Sequence, residues 1–106
     1  MTYELSNKAK QDLDKIIEYT VEKHGGSQMF RYVDQIEQAA EKLAAGSCHY
    51  KKLESIHSQL RIKKAGKHYV FGLMRSNNPM LVLAIFHEQM DLMRRLEGRL
   101  SPEKER

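Results

Sequence analysis

The feature that most constrains this chain is a change of hydrophobic period near its middle. Through residue 46 the apolar positions recur at intervals of three and four, the spacing of one helix face. From Gln59 onward they alternate, as in strands with one buried face. A chain of 106 residues has room for one core. Both halves must therefore share it, and helices followed by a run of strands predict an α+β domain with a helical hairpin packed on a small antiparallel sheet.

Residues 2–5 read as a short strand, and Ser6 supplies a side-chain oxygen to cap a helix over 7–24. Ala9, Leu13, Ile16, Ile17 and Val21 form its stripe, while Asp12, Asp14, Lys15, Glu18 and Glu22 are expected to face water. Gly25-Gly26 ends it. Ser27 is expected to cap a second helix with the seam Met29, Phe30, Val33, Ile36, Ala40 and Leu43, closed by a left-handed Gly46. A junction of about three residues makes the two helices antiparallel neighbours. After a polar connector (47–58), three strands are expected over 59–64, 68–75 and 80–87, then a short helix from 89 to about 96. Residues 1–100 form the domain, and 101–106 read as a charged, frayed tail.

Two-residue hairpin loops pair Lys64 with Lys67 and Ser76 with Pro79, which sorts the strand residues onto two faces. Leu60, Ile62, Tyr69, Phe71, Leu73, Val82, Ala84 and Phe86 form the face expected to meet the helical hairpin. Val70, Gly72, Met74, Leu81, Leu83 and Ile85 form the other, rimmed by Arg61, Lys63, His68 and His87. Only the short last helix is available to shield that face, so an apolar, basic groove is expected there, a surface suited to an amphipathic segment with acidic residues. The charge distribution agrees. Residues 47–87 carry seven Lys/Arg against Glu54 alone, whereas residues 1–46 carry six against eight acids. A basic middle segment suggests an acidic partner.

Several classes are excluded. The longest apolar run, 80–86, is far shorter than the ~20 residues of a membrane-spanning helix, and no secretory signal opens the chain. A lone Cys48 forms no internal disulfide, so a reducing cytoplasm is expected. Glycine-rich phosphate loops and paired metal-site cysteines are absent, His49 and His57 lack matching ligands, and no cofactor is expected. The one catalytic constellation to weigh is Arg61, Lys63, Arg75 and His87, with His87 as acid and Glu54 or Glu88 as base for 2′-hydroxyl attack on RNA. The simpler account is that these groups bind a partner's carboxylates.

The order of elements and particular strings resemble the ParE toxins of the RelE/ParE toxin–antitoxin superfamily, from Tyr3 to about Leu100. The strings are Tyr3-Glu4-Leu5-Ser6 with Ala9 and Asp12-Leu13, Ile16-Ile17, Tyr19-Thr20, Leu43-Ala44-Ala45-Gly46, Leu60-Arg61 and His68-Tyr69-Val70-Phe71. The run Leu81-Val82-Leu83-Ala84-Ile85-Phe86-His87-Glu88-Gln89-Met90-Asp91-Leu92-Met93 is most similar to plasmid-encoded members. The resemblance implies a non-enzymatic toxin that inhibits DNA gyrase and blocks replication, serves plasmid maintenance, and is neutralised by a ParD-type antitoxin. It implies a heterotetramer or larger complex with a dimeric antitoxin, whose own domain, and not this chain, binds operator DNA. Antitoxin contacts fall by this reading on Arg61, Lys63, His68, Val70, Met74, Leu81, Leu83, Ile85 and His87. Gyrase contacts fall on Arg94, Arg95 and Arg99 of the C-terminal segment. The alternative is a RelE-type ribosome-dependent mRNA endoribonuclease using the basic sheet face. Gly72 departs from the pattern, since many relatives carry a large aromatic there, and this bears on the shape of the groove.

Overall fold

In the computed structural model, which describes residues 2–104, Ser6 starts the first helix as its chemistry predicts. Its Oγ accepts the Ala9 N–H at 3.1 Å at the head of α1 (Asn7–His24). Gly25 alone, at φ 85° and ψ 171°, joins α1 to α2 (Gly26–Ala45). The junction is tighter than expected, and Ser27 lies inside α2 rather than capping it. Gly46 ends α2 in the left-handed region at φ 71°, with the Ser47 N–H reaching back to the Lys42 carbonyl at 3.1 Å.

A five-stranded sheet follows, in the order β1 (Tyr3–Leu5), β5 (Asn78–His87), β4 (His68–Arg75), β3 (Leu60–Ala65), β2 (Lys51–Lys52). β1 runs parallel to β5 and the remaining neighbours are antiparallel. The connector is therefore more ordered than its polarity suggested: it contributes β2, and Leu53 and Ile56 pack on the core. The C-terminal helix α3 spans Leu92–Lys104, starting later and ending later than expected and carrying four residues of the anticipated tail. What was expected of residues 105 and 106 lies outside the described residues.

The sheet is covered on both sides, and the faces expected of β3, β4 and the end of β5 are exchanged, whereas Leu81, Val82 and Leu83 lie on the sides expected of them. Val70, Met80, Val82 and Ile85 pack beneath the hairpin against Ala9, Ile16, Ile36, Ala39, Ala40 and Leu43. Leu60, Phe71, Ala84 and Phe86, expected there, instead pack beneath α3 against Leu96 and Leu100, with Ile62, Tyr69 and Leu73 beside them. Small alanines let the hairpin lie close on the sheet, whereas one short helix leaves room for bulky aromatics. Leu81 and Leu83 lie away from the hairpin as expected but no longer share a face with Val70 and Ile85, because β5 is irregular. The hairpin loops close on Ala65↔His68 and Arg75↔Asn78 rather than on Lys64–Lys67 and Ser76–Pro79. His68↔His87 to Phe71↔Ala84 keep the expected β4–β5 register, but Gly72 pairs with Val82, so Leu83 is an extra residue, and a second shift follows between Leu73 and Arg75. Both leucines consequently join the α3 side. Phe30, expected in the α2 seam, is 72% exposed.

Gly72 explains its own departure. A β-carbon there would overlap the Sδ of Met80 and lie 2.8 Å from its Cε. Met80 is 1% exposed and fills from β5 the space that a side chain at 72 would occupy.

Candidate partner-binding cavity

Among the described residues neither face of the sheet keeps the expected uncovered apolar groove. Val70 and Ile85 are buried beneath the hairpin, Leu81 and Leu83 are buried beneath α3, and Met74 is half-buried at the edge of the hairpin core. Arg61 donates from Nη1 to the Leu43 carbonyl at 2.8 Å and stacks on Tyr50, so it anchors the end of α2. Lys63 reaches the His49 carbonyl at 3.4 Å. Arg75 is held at the other end of the sheet by the Pro79 carbonyl and Glu4. Arg75 and His68 are seven residues apart on β4, about 23 Å at strand rise, and His68 pairs with His87. The constellation weighed for RNA cleavage is thus dispersed.

What the fold does assemble is a half-open cavity of about 640 Å³ between α1, the start of α2, the β3–β4 turn, the end of β5 and α3. Three of the nine expected antitoxin contacts line it: His68, Ile85 and His87. Lys15, Lys67 and Arg95 add exposed cations, and Tyr19 and Met90 add exposed apolar surface.

His68 is fixed as a neutral ring. The Lys67 N–H donates to Tyr32 Oη at 2.9 Å, and Tyr32 Oη lies 2.6 Å from His68 Nδ1. Burial holds the Tyr32 phenol protonated by raising its pKa, and its oxygen also lies 3.3 Å from the Ala65 carbonyl, a second acceptor for the phenol proton. Burial, then the adjacent His87, lower the His68 pKa to about 4. The His87 ring stands edge-on to His68 at 5.1 Å and accepts the Gln89 N–H at its own Nδ1. Gly66, at φ 61°, permits this turn, because a β-carbon there would lie 2.5 Å from Tyr32 Cε1.

This arrangement has a pH signature. The unfolded chain protonates His68 near 6.5 while the folded chain resists until about pH 4, so folding stability should fall as pH drops through that window. Urea midpoints at pH 7 and pH 5 should differ in the native chain, and His68→Gln should flatten this difference. Glu88, whose pKa is lowered chiefly by its hydrogen bond from Lys64, loses its stabilising charge only below the ordinary carboxylate range. An unchanged slope in His68→Gln would show that His68 already titrates freely when folded.

Asp12, expected to face water, lies at the inner wall instead. It accepts Arg99 through both carboxylate oxygens, at 2.8 and 2.9 Å, and takes the Ile85 N–H at 3.0 Å. Arg99 also donates to the Leu83 carbonyl at 2.8 Å. The pair therefore closes the polar groups that the irregularity at Leu83 turns away from β4, and both side chains are under a fifth exposed. A signal was present in the spacing, since Asp12 follows Ala9 by three residues and precedes Ile16 by four. Arg99, expected at the gyrase surface, is committed to this bracket, whereas Arg94 and Arg95 are exposed. Among the described residues, no three His, Cys, Asp or Glu are grouped to hold a metal ion, and no helix is long and apolar enough to cross a membrane.

Comparison with known proteins places these features among relatives. Residues 3–92 match the family model for the ParE toxin of the type II toxin–antitoxin system parDE. The chain is 44% identical over 98 residues to Toxin ParE of Escherichia coli, covering 92% of this chain and 95% of that one. Its fold is similar to a chain from the chromosomal ParDE TA system of P. aeruginosa, with a TM-score of 0.66 at 19% identity over 82% of this chain and 95% of that chain.

Proposed function

Because this chain belongs to the ParE toxin family of type II toxin–antitoxin systems, we propose that it acts in the cytoplasm as a non-enzymatic inhibitor of DNA gyrase, silenced by a ParD-type antitoxin. The observation that carries the reading over RNA cleavage is the dispersal of its cations. Arg61 supports α2, Arg75 supports the β4–β5 hairpin, and His68 is held neutral by burial and by the adjacent His87. A phosphorane-stabilising site needs such groups converged on one phosphate.

In this reading Arg94 and Arg95 of α3 contact gyrase, while Arg99 holds α3 in place. The antitoxin occupies the cavity lined by His68, Ile85 and His87, and a dimeric antitoxin recruits two toxins. The other residues expected in that contact, Arg61, Lys63, Val70, Met74, Leu81 and Leu83, are not among those lining the cavity.

The test is supercoiling of relaxed plasmid by purified gyrase. The folded toxin should inhibit it and accumulate linear DNA. Arg94→Glu with Arg95→Glu should raise the inhibitory concentration on the order of tenfold or more, about 1.4 kcal/mol of contact. As surface changes they should shift folding stability by less than about 0.5 kcal/mol. Full gyrase activity with excess folded toxin, together with ribosome-dependent mRNA cleavage lost in His87→Ala/Arg61→Ala, would favour the endoribonuclease reading.

A further inference from the structure

β1 accompanies β5 only as far as Leu5↔Val82, after which the chain turns into α1. Among the described residues, no strand lies beside the outer edge of β5 beyond Val82. The Glu88 N–H donates to the Lys67 carbonyl at 2.8 Å, so in antiparallel alternation Phe86 faces β4 with its backbone groups while Ile85 and His87 face away. The Ile85 N–H confirms this phase by donating to Asp12, and the His87 carbonyl accepts the Met90 N–H at 3.0 Å. Of the four backbone groups of Ile85 and His87 that face away from β4, those two contacts leave the Ile85 carbonyl and the His87 N–H, on the edge that lines the cavity.

Their spacing selects one mode of pairing. A carbonyl at residue 85 and an N–H at residue 87 match a single residue of a parallel strand lying opposite Phe86. β1 follows the same pattern further back, with Glu4 opposite Leu81. The opposite edge of the sheet is blunted, because β2 is two residues long and both are exposed lysines.

We infer that the end of β5 receives an extended acidic segment of the antitoxin as an added parallel strand, one residue of it bridging the Ile85 carbonyl and the His87 N–H. The charge of the cavity selects the chemistry of this occupant. Lys15, Lys67 and Arg95 line it, and its one carboxylate, Asp12, is neutralised by Arg99. Tyr19, 59% exposed, and Met90, 41% exposed, offer apolar surface for the strand's alternate side chains. This inference rests on the antitoxin reading above.

The experiment is amide hydrogen exchange by NMR on the full toxin, alone and with the cognate ParD-type antitoxin. Complex formation should slow exchange at His87 on the order of tenfold or more and give cross-strand contacts between the His87 amide proton and an antitoxin α-proton. Lys15→Glu with Lys67→Glu should weaken binding on the order of tenfold. Binding with His87 exchange unchanged overturns strand addition and leaves the antitoxin reading standing. Failure of the folded toxin to bind the antitoxin overturns that reading and this inference with it.

Discussion

Replacing Asp12 by alanine should destabilise the fold by about 3–5 kcal/mol, the cost of leaving a desolvated partner charge unpaired. The side chains of Asp12 and Arg99 are 15% and 17% exposed, and their two-pronged contact tolerates little water. The loss extends beyond the ion pair. The Ile85 N–H loses its acceptor, at about 1–3 kcal/mol for a buried donor, and Arg99 loses the group that aims it at the Leu83 carbonyl. Thermal unfolding should fall by well over 10 °C, at about 4 °C or more per kcal/mol for a domain of this size. Asp14→Ala, on the exposed side of α1, should stay within about 0.5 kcal/mol of the native chain. A loss under 1 kcal/mol for Asp12→Ala would mean that water replaces the carboxylate and that the bracket is ornamental to folding.

The result bears on how toxicity is read. Arg99→Ala removes the same bracket and also a guanidinium stacked 4.9 Å from the centre of the Phe86 ring. Its loss of activity should track its loss of folded protein. Charge changes at Arg94 and Arg95 should separate the two. Arg99 therefore cannot be assigned a contact with gyrase from a loss of toxicity alone.

How much of this was legible in the sequence depended on the range over which each signal acts. Ser6 and Gly46 satisfy backbone groups within a few residues, and their roles follow from local chemistry. The assortment of Leu60, Ile62, Tyr69, Phe71 and Leu73 onto one face followed from alternation and survives in the fold. Which face meets the hairpin did not follow, because both are apolar and only the sizes of the covering residues decide it. The apolar run 80–86 contains no polar residue to mark a break in alternation, so the extra residue at Leu83 was invisible. Its stabilising partners are also remote, Asp12 being 73 residues from Ile85 and Arg99 87 residues from Asp12. The cavity inherits that difficulty. Its histidines were singled out by charge and position, but Tyr32, which contacts the His68 ring nitrogen, is 36 residues away on a helix whose pattern shows only a core seam.

Gly72→Phe should destabilise by about 3 kcal/mol or more, at the upper end of overpacking costs. The new ring would have to displace Met80, and Met80, only 1% exposed, has no vacant volume to enter. Met80→Ala alone should cost about 2–5 kcal/mol by opening a cavity. Combined, the two changes exchange which strand supplies the bulk: an aromatic from β4 occupies the space that Met80 vacates on β5. The double variant should therefore recover about 2 kcal/mol or more relative to the sum of the singles, a coupling expected only of groups that share one volume. Additive losses in urea denaturation would show instead that the sheet moves to admit the ring. Because Met80 and Ile85 lie in the same buried cluster on β5, such movement would reach the edge that carries the Ile85 carbonyl. Antitoxin affinity should then change with Gly72→Phe alone. If the volumes exchange locally, the compensated double variant should keep native affinity, and a large aromatic at position 72 and the glycine here would be two packings of the same binding surface.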